Sequence, residues 1–126
     1  MSNILLTFNN QFIEFINYIE TIFPDDTDIV TSKNAFILAR KSNPKIIIKI
    51  WKTCIVLKYK TEIESGDLSF FINKDYSQDI YSTNYDKIME CIDRLRQPIK
   101  NMDPTQQYTT MKYIQILTKL SDLYII

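Results

Sequence analysis

Apolar side chains recur along this chain at helical spacing. From Ile4 to Phe23, residues Leu5, Phe8, Phe12, Phe15, Ile16, Ile19, Ile22 and Phe23 stand at i, i+3, i+4 and i+7 intervals. That spacing places them on one stripe of an α-helix. Pro24 ends the helix, because the residue before a proline avoids the α region. Asp25, Asp26, Thr27 and Asp28 then offer an N-cap and an acidic first turn to a second helix. This helix runs from Thr27 to Lys41 with Ile29, Phe36, Ile37 and Ala39 as its apolar positions. Its stripe is weaker than the first.

Ser42, Asn43 and Pro44 read as a stop followed by a start, with Asn43 as cap and Pro44 at the first helical position. The segment from Lys45 to Glu64 carries two signals. Ile46, Ile47, Ile48, Ile50, Trp51, Ile55, Val56, Leu57 and Tyr59 favour strand locally. Two strands would need a turn, and Lys52–Thr53 is a poor one. On a helix, Ile46, Ile47, Ile50, Trp51, Cys54 and Leu57 share one arc, and Lys45, Lys49, Lys52 and Lys60 share the opposite arc. The helix is the better reading, and its Ile/Trp content makes it the buried centre of the fold. Gly66 suits a C-terminal cap, and Asp67 caps a short helix with Leu68, Phe70, Phe71 and Ile72.

Tyr76–Thr83 reads as a loop. A helix starting near Asn84 continues the stripe through Ile88, Cys91, Ile92, Leu95, Ile99 and Met102, with a kink expected near Pro98. Asp103–Pro104 repeats the pattern of cap then proline. The last helix carries Tyr108, Met111, Ile114, Leu117, Leu120 and Tyr124 as its apolar face, and the apolar C-terminal residues are expected to dock. The result is a compact, single-domain all-α bundle of five or six helices over residues 1–126, with a buried central helix.

Composition removes the main competitors. Only one glycine is present, Gly66, too few for the positive-φ turns of a sandwich or barrel. No apolar run reaches the length of a membrane span. There is no basic n-region of a signal peptide, so an intracellular protein is expected. Isoleucine occurs 22 times against 9 leucines, and lysine 12 times against 3 arginines. An A/T-rich genome accounts for those preferences, since helix chemistry does not choose isoleucine over leucine.

The charge is zero overall but falls in blocks. Residues 1–32 hold five acids and no base, whereas residues 33–60 hold eight bases and no acid. Residues 61–93 hold eight acids and two bases, and residues 94–126 five bases and two acids. Lys33, Arg40, Lys41, Lys45, Lys49 and Lys52 are the candidate basic face for an acidic protein or for phosphate. Mutual neutralisation of acidic and basic helices is the competing structural reading. Three arginines are few for a nucleic-acid reader.

The catalytic inventory is thin. The chain has no histidine, so no imidazole base or ligand is available to activate a serine or cysteine or to hold zinc. Cys54 and Cys91 lie on apolar arcs and read as buried structural thiols. One glycine cannot build a phosphate loop. Asp25–Asp28 lacks the glycine and distal glutamate of a calcium loop and reads as helix capping. Asp67, Asp75, Asp79 and Asp86 could form a second acidic patch, but their spacing does not define a carboxylate pair. No enzyme, metal or cofactor is expected. Phe70, Phe71, Tyr76, Tyr81 and Tyr85 read mostly as core. Yet tyrosines in an acidic segment also suit a protein-binding surface, and Phe70, Phe71, Tyr76 and Tyr81 join the candidate partner-binding set.

Several phrases carry a resemblance together. They are Phe23–Pro24–Asp25, Lys33–Asn34–Ala35, and Arg40–Lys41–Ser42–Asn43–Pro44–Lys45 leading to Trp51. Further on come Gly66 through Tyr76, Ile92 through Ile99, and Tyr113 through Ser121. This set resembles small uncharacterised all-helical proteins of giant nucleocytoplasmic large DNA viruses, of the mimivirus and phycodnavirus type. The resemblance spans nearly the whole chain and implies a viral protein acting in the host cytoplasm or packaged in the virion. It transfers no catalytic residue.

These readings converge on a non-enzymatic protein–protein interaction protein, either a virion component or an infection-stage adaptor. The alternatives are a nucleic-acid accessory protein using the basic residues of 33–60, and a helix-groove antagonist of host signalling. Self-association through apolar surface left over near the C-terminus is open.

Overall fold

Each helix boundary in the computed structural model has a local cause. The structure describes residues 3–72, 88 and 90–124. Helix α1 (Ile4–Ile22) starts at Asn3, whose side chain accepts from the Leu6 amide, and closes with the Phe23 amide on the Ile19 carbonyl, just before Pro24. Helix α2 (Thr27–Ser42) is capped by Asp26, which accepts from the amides of Asp28 and Ile29. Thus Asp26 works as a helix cap. A turn at Pro44–Lys45 leads to α3 (Ile46–Ile50), which starts two residues later than the proline suggested. Asn43 closes α2 and also accepts from the Lys45 amide at 3.2 Å.

The strand-prone stretch forms no strand, and it is helical except for a kink at Tyr59, whose φ of −127° and ψ of 21° leave the helical region. After α3 comes a π-helical turn, π1 (Trp51–Val56), then α4 (Leu57–Ser65). Gly66 adopts a left-handed φ of 79°. The Asp67 amide reaches the Glu62 carbonyl and the Gly66 amide the Ile63 carbonyl, the paired bonds of a Schellman end. Asp67 then caps the short α5 (Ser69–Ile72), accepting from both the amide and the hydroxyl of Ser69. Those two bonds hold the exposed Asp67 carboxyl below its ordinary pKa.

Residues 90–93 are helical, and a turn at Arg94–Leu95 separates them from α6 (Arg96–Lys100). The interruption therefore falls four residues before Pro98 rather than at it. Proline has no amide for the carbonyl four residues back, and its ring crowds that carbonyl. The last helix, α7 (Pro104–Leu123), opens on a full capping box between Asp103 and Gln106. The expected loop at Tyr76–Thr83 and the helix start near Asn84 lie outside the described residues. No strand occurs among the described residues, and the fold is all-α.

The core forms where α1, π1 and α7 meet, with α2 closing one side. Phe12 sits edge-on to Phe36 at 4.8 Å and to Trp51 at 6.0 Å between centroids. Trp51 also takes the edge of Phe8. Such pairs add about 0.5–1.5 kcal/mol each beyond burial. The Trp51 indole N–H donates to Thr118 Oγ1 at 3.3 Å, so the buried ring keeps its polar atom satisfied. Gln115 donates to the Ile63 carbonyl at 3.0 Å, and Lys52 to the Tyr124 carbonyl at 2.9 Å. These bonds tie α7 along the length of π1 and α4.

The π turn corrects the sequence reading of the central helix. Leu57, assigned to the buried arc, is 73% exposed, whereas Ile63, on the lysine side of a regular α-helix, is 1% exposed. The Leu57 amide bonds the Lys52 carbonyl, five residues back. One extra residue per turn sets the following face back by about 100°. Leu57 leaves the core at the π turn, and Ile63 enters it beyond the further kink at Tyr59. On α7, Tyr108 is also out of the expected core face, lying exposed under the Lys112 ammonium at 5.0 Å.

Candidate functional site

The six basic candidates do not form one face. Lys33 bridges α2 to α1 through Glu20 at 3.0 Å, with both groups partly buried. Lys52 is spent on the Tyr124 carbonyl. Lys49 is half-buried on α3. Internal neutralisation, the competing structural reading, accounts for Lys33.

Arg40 and Lys41 have a different setting. They lie in the last turn of α2, where positive charge complements the helix dipole. The Arg40 guanidinium donates to Asn10 Oδ1 on α1 at 2.7 Å, which fixes it across the helix pair. Lys45 follows Pro44 and is exposed. Among the described residues no carboxylate pairs with Arg40, Lys41 or Lys45.

Arg40 and Lys41 line an apolar groove of about 510 Å³ between the start of α1 and the end of α2, and Lys45 follows its lining residue Pro44 in the chain. Leu5, Leu6 and Asn9 come from α1, and Ile37, Arg40 and Lys41 from α2. None of the lining residues is acidic. Leu6 is 48% exposed and Ile37 41%, and Leu38, next along α2, is exposed too. Exposed apolar groups in a cluster, rimmed by charge, mark interaction surfaces more often than isolated ones do.

Asn9 gives the groove its one buried polar group. It is 2% exposed. Its Nδ2 donates to the Pro44 carbonyl at 2.9 Å, whereas Oδ1 has no partner and is shielded from solvent. Leaving such an acceptor unmade costs about 1–3 kcal/mol. Ser32 Oγ, at the buried side of α2, also lacks a partner, but Ser32 does not line the groove.

The aromatic candidates divide as well. Phe70 and Phe71 are buried, Phe70 against Tyr59 at 5.0 Å, so they belong to the core and not to a partner surface. Tyr76 and Tyr81 lie outside the described residues. Cys54 and Cys91 are buried thiols. No helix among the described residues is long and apolar enough to cross a membrane.

Two further depressions flank α7, one against α4 and one against the Gly66 turn, sharing Lys112 and Gln115. The one against α4 is mixed in charge, with Glu64 and Asp122 beside Lys112 and Lys119, and the one at the Gly66 turn has Lys112 as its single charged lining residue.

Sequence reasoning singled out Arg40, Lys41 and Lys45 but missed their apolar neighbours. Two signals were present. Asn9 stands inside the apolar stripe of α1, and α2 carries Val30, Ile37 and Leu38 to one side of its weak core stripe. Comparison with family models, curated proteins and solved structures finds no match to this chain.

Proposed function

We propose that this is a non-enzymatic interaction protein that docks an acidic amphipathic segment of a partner protein on the α1/α2 groove. The observation that carries the reading is the meeting of exposed Leu6 and Ile37 with Arg40 and Lys41, in a groove with no acidic lining residue. An apolar anchor would fill the groove, and acidic flanks would meet Arg40, Lys41 and Lys45. The resemblance to giant-virus proteins supports a setting in the infected cytoplasm or the virion. Nucleic acid is the weaker occupant, because Lys33 and Lys52 are engaged inside the fold.

The test is selection of peptides from a random display library on the immobilised protein. Enriched peptides should pair Asp or Glu with a large apolar residue. Their affinity should fall at least about tenfold in an Arg40→Glu, Lys41→Glu, Lys45→Glu triple variant with an unchanged helical spectrum. Enrichment of neutral or basic peptides, or binding untouched by the triple variant, would overturn the reading. Binding of a fluorescent single-stranded DNA oligomer that disappears with added salt would move the assignment to nucleic acid.

A further inference from the structure

Asn9 carries more information than its neighbours in the groove. Its carboxamide is held by one bond, from Nδ2 to the Pro44 carbonyl. Exchanging N and O would break that bond, so the orientation is set and Oδ1 is the atom left over. Ser32, the other buried side chain without a partner, does not line the groove. Gln115, which borders the depressions along α7, is already bonded to Ile63. Asn9 is thus the one buried side chain that both borders a groove and keeps an unmet, oriented acceptor among the described residues.

We infer that Asn9 determines specificity in this groove: its Oδ1 accepts a hydrogen bond from an N–H or O–H group on the partner's apolar anchor. The inference rests on the docking function proposed above and narrows its ligand to an anchor that is mainly apolar but carries one donor, as an indole or phenol does. Leu6 stands three residues before Asn9, on the same face of α1, and is half-exposed. Because Oδ1 is closed to solvent, the incoming donor must displace a groove side chain to reach it. An anchor without a donor would leave the acceptor buried and unmet, which is the basis of discrimination.

Indole and 1-methylindole test this, since they share the apolar ring and differ in the N–H. Binding is followed by the methyl NMR signals of Leu5, Leu6 and Ile37 in the intact protein. Indole should bind roughly three- to tenfold more tightly than 1-methylindole. In an Asn9→Leu variant the two should bind alike. Equal binding of the two probes to the unaltered protein overturns the role of Asn9 and leaves the docking function standing. A preference for indole that survives in Asn9→Leu also overturns it, because the extra methyl group is then the cause. If neither probe moves those methyl signals, the groove does not accept an apolar anchor, and both readings fail.

Discussion

Phe12 and Leu6 belong to the same helix, less than two turns apart, yet they meet opposite surroundings. Phe12 is fully buried between the rings of Phe36 and Trp51. Leu6 is half-exposed beside Ile37, under the charges of Arg40 and Lys41. The aromatic region is saturated, and its one polar group, the Trp51 indole N–H, is bonded to Thr118. The groove keeps apolar surface in water, cations without carboxylates and an acceptor without a donor. Apolar character alone therefore does not separate folding residues from binding residues on α1. What separates them is helical phase: Leu6 lies about 120° around α1 from Phe12, off the stripe that packs on Trp51.

The largest test of this contrast is Phe12→Ala. Removing a ring at the centre of the aromatic cluster should destabilise the fold by about 3–5 kcal/mol, read as a lower urea midpoint. Leu38→Ala, on the open side of α2, should change the unfolding free energy by less than about 0.5 kcal/mol. Comparable losses in the two variants would break the contrast.

A second pair sharpens the limit of the core at the π turn. Ile63→Ala should cost about 2–4 kcal/mol and Leu57→Ala less than about 0.5 kcal/mol. A regular α-helix from Lys45 to Glu64 would place Leu57 inside and Ile63 on the charged side, so it predicts the reverse order. The same urea titration decides between them.

The smallest effect is expected in the groove itself. Leu6→Gln and Ile37→Gln should each leave the unfolding free energy, read from the urea titration, within about 0.5 kcal/mol of the unaltered protein. The same variants should reduce capture of the selected acidic peptides. A marked loss of stability would make these residues part of the core.

Much of the fold was legible along the chain because its signals are local. Asp26, Gly66 and Asp103 act where their chemistry is written, each bonding amides or supplying φ within a few residues. The stripe of α1 was legible for the same reason, since helical spacing alone sorts Phe8, Phe12, Phe15, Ile16 and Ile19 onto one face. The candidate site was legible in half. Its bases stood out by charge, but Lys33 and Lys52 looked no different from Lys41 until Glu20 and the Tyr124 carbonyl were brought to them from distant parts of the chain.

The sequence by itself thus determined the helical class, most helix ends and the absence of imidazole chemistry. These follow from side-chain periodicity, capping chemistry and composition, none of which needs a distant partner. Tertiary structure decided the rest. The π turn and the kink at Tyr59 shifted the phase of the central helix and exchanged Leu57 for Ile63 in the core. The α1/α2 pair left Leu6, Ile37 and Asn9 beside Arg40 and Lys41. Burial and charge compensation are properties of neighbours in space, and a one-dimensional pattern names the candidates without saying which of them will be covered.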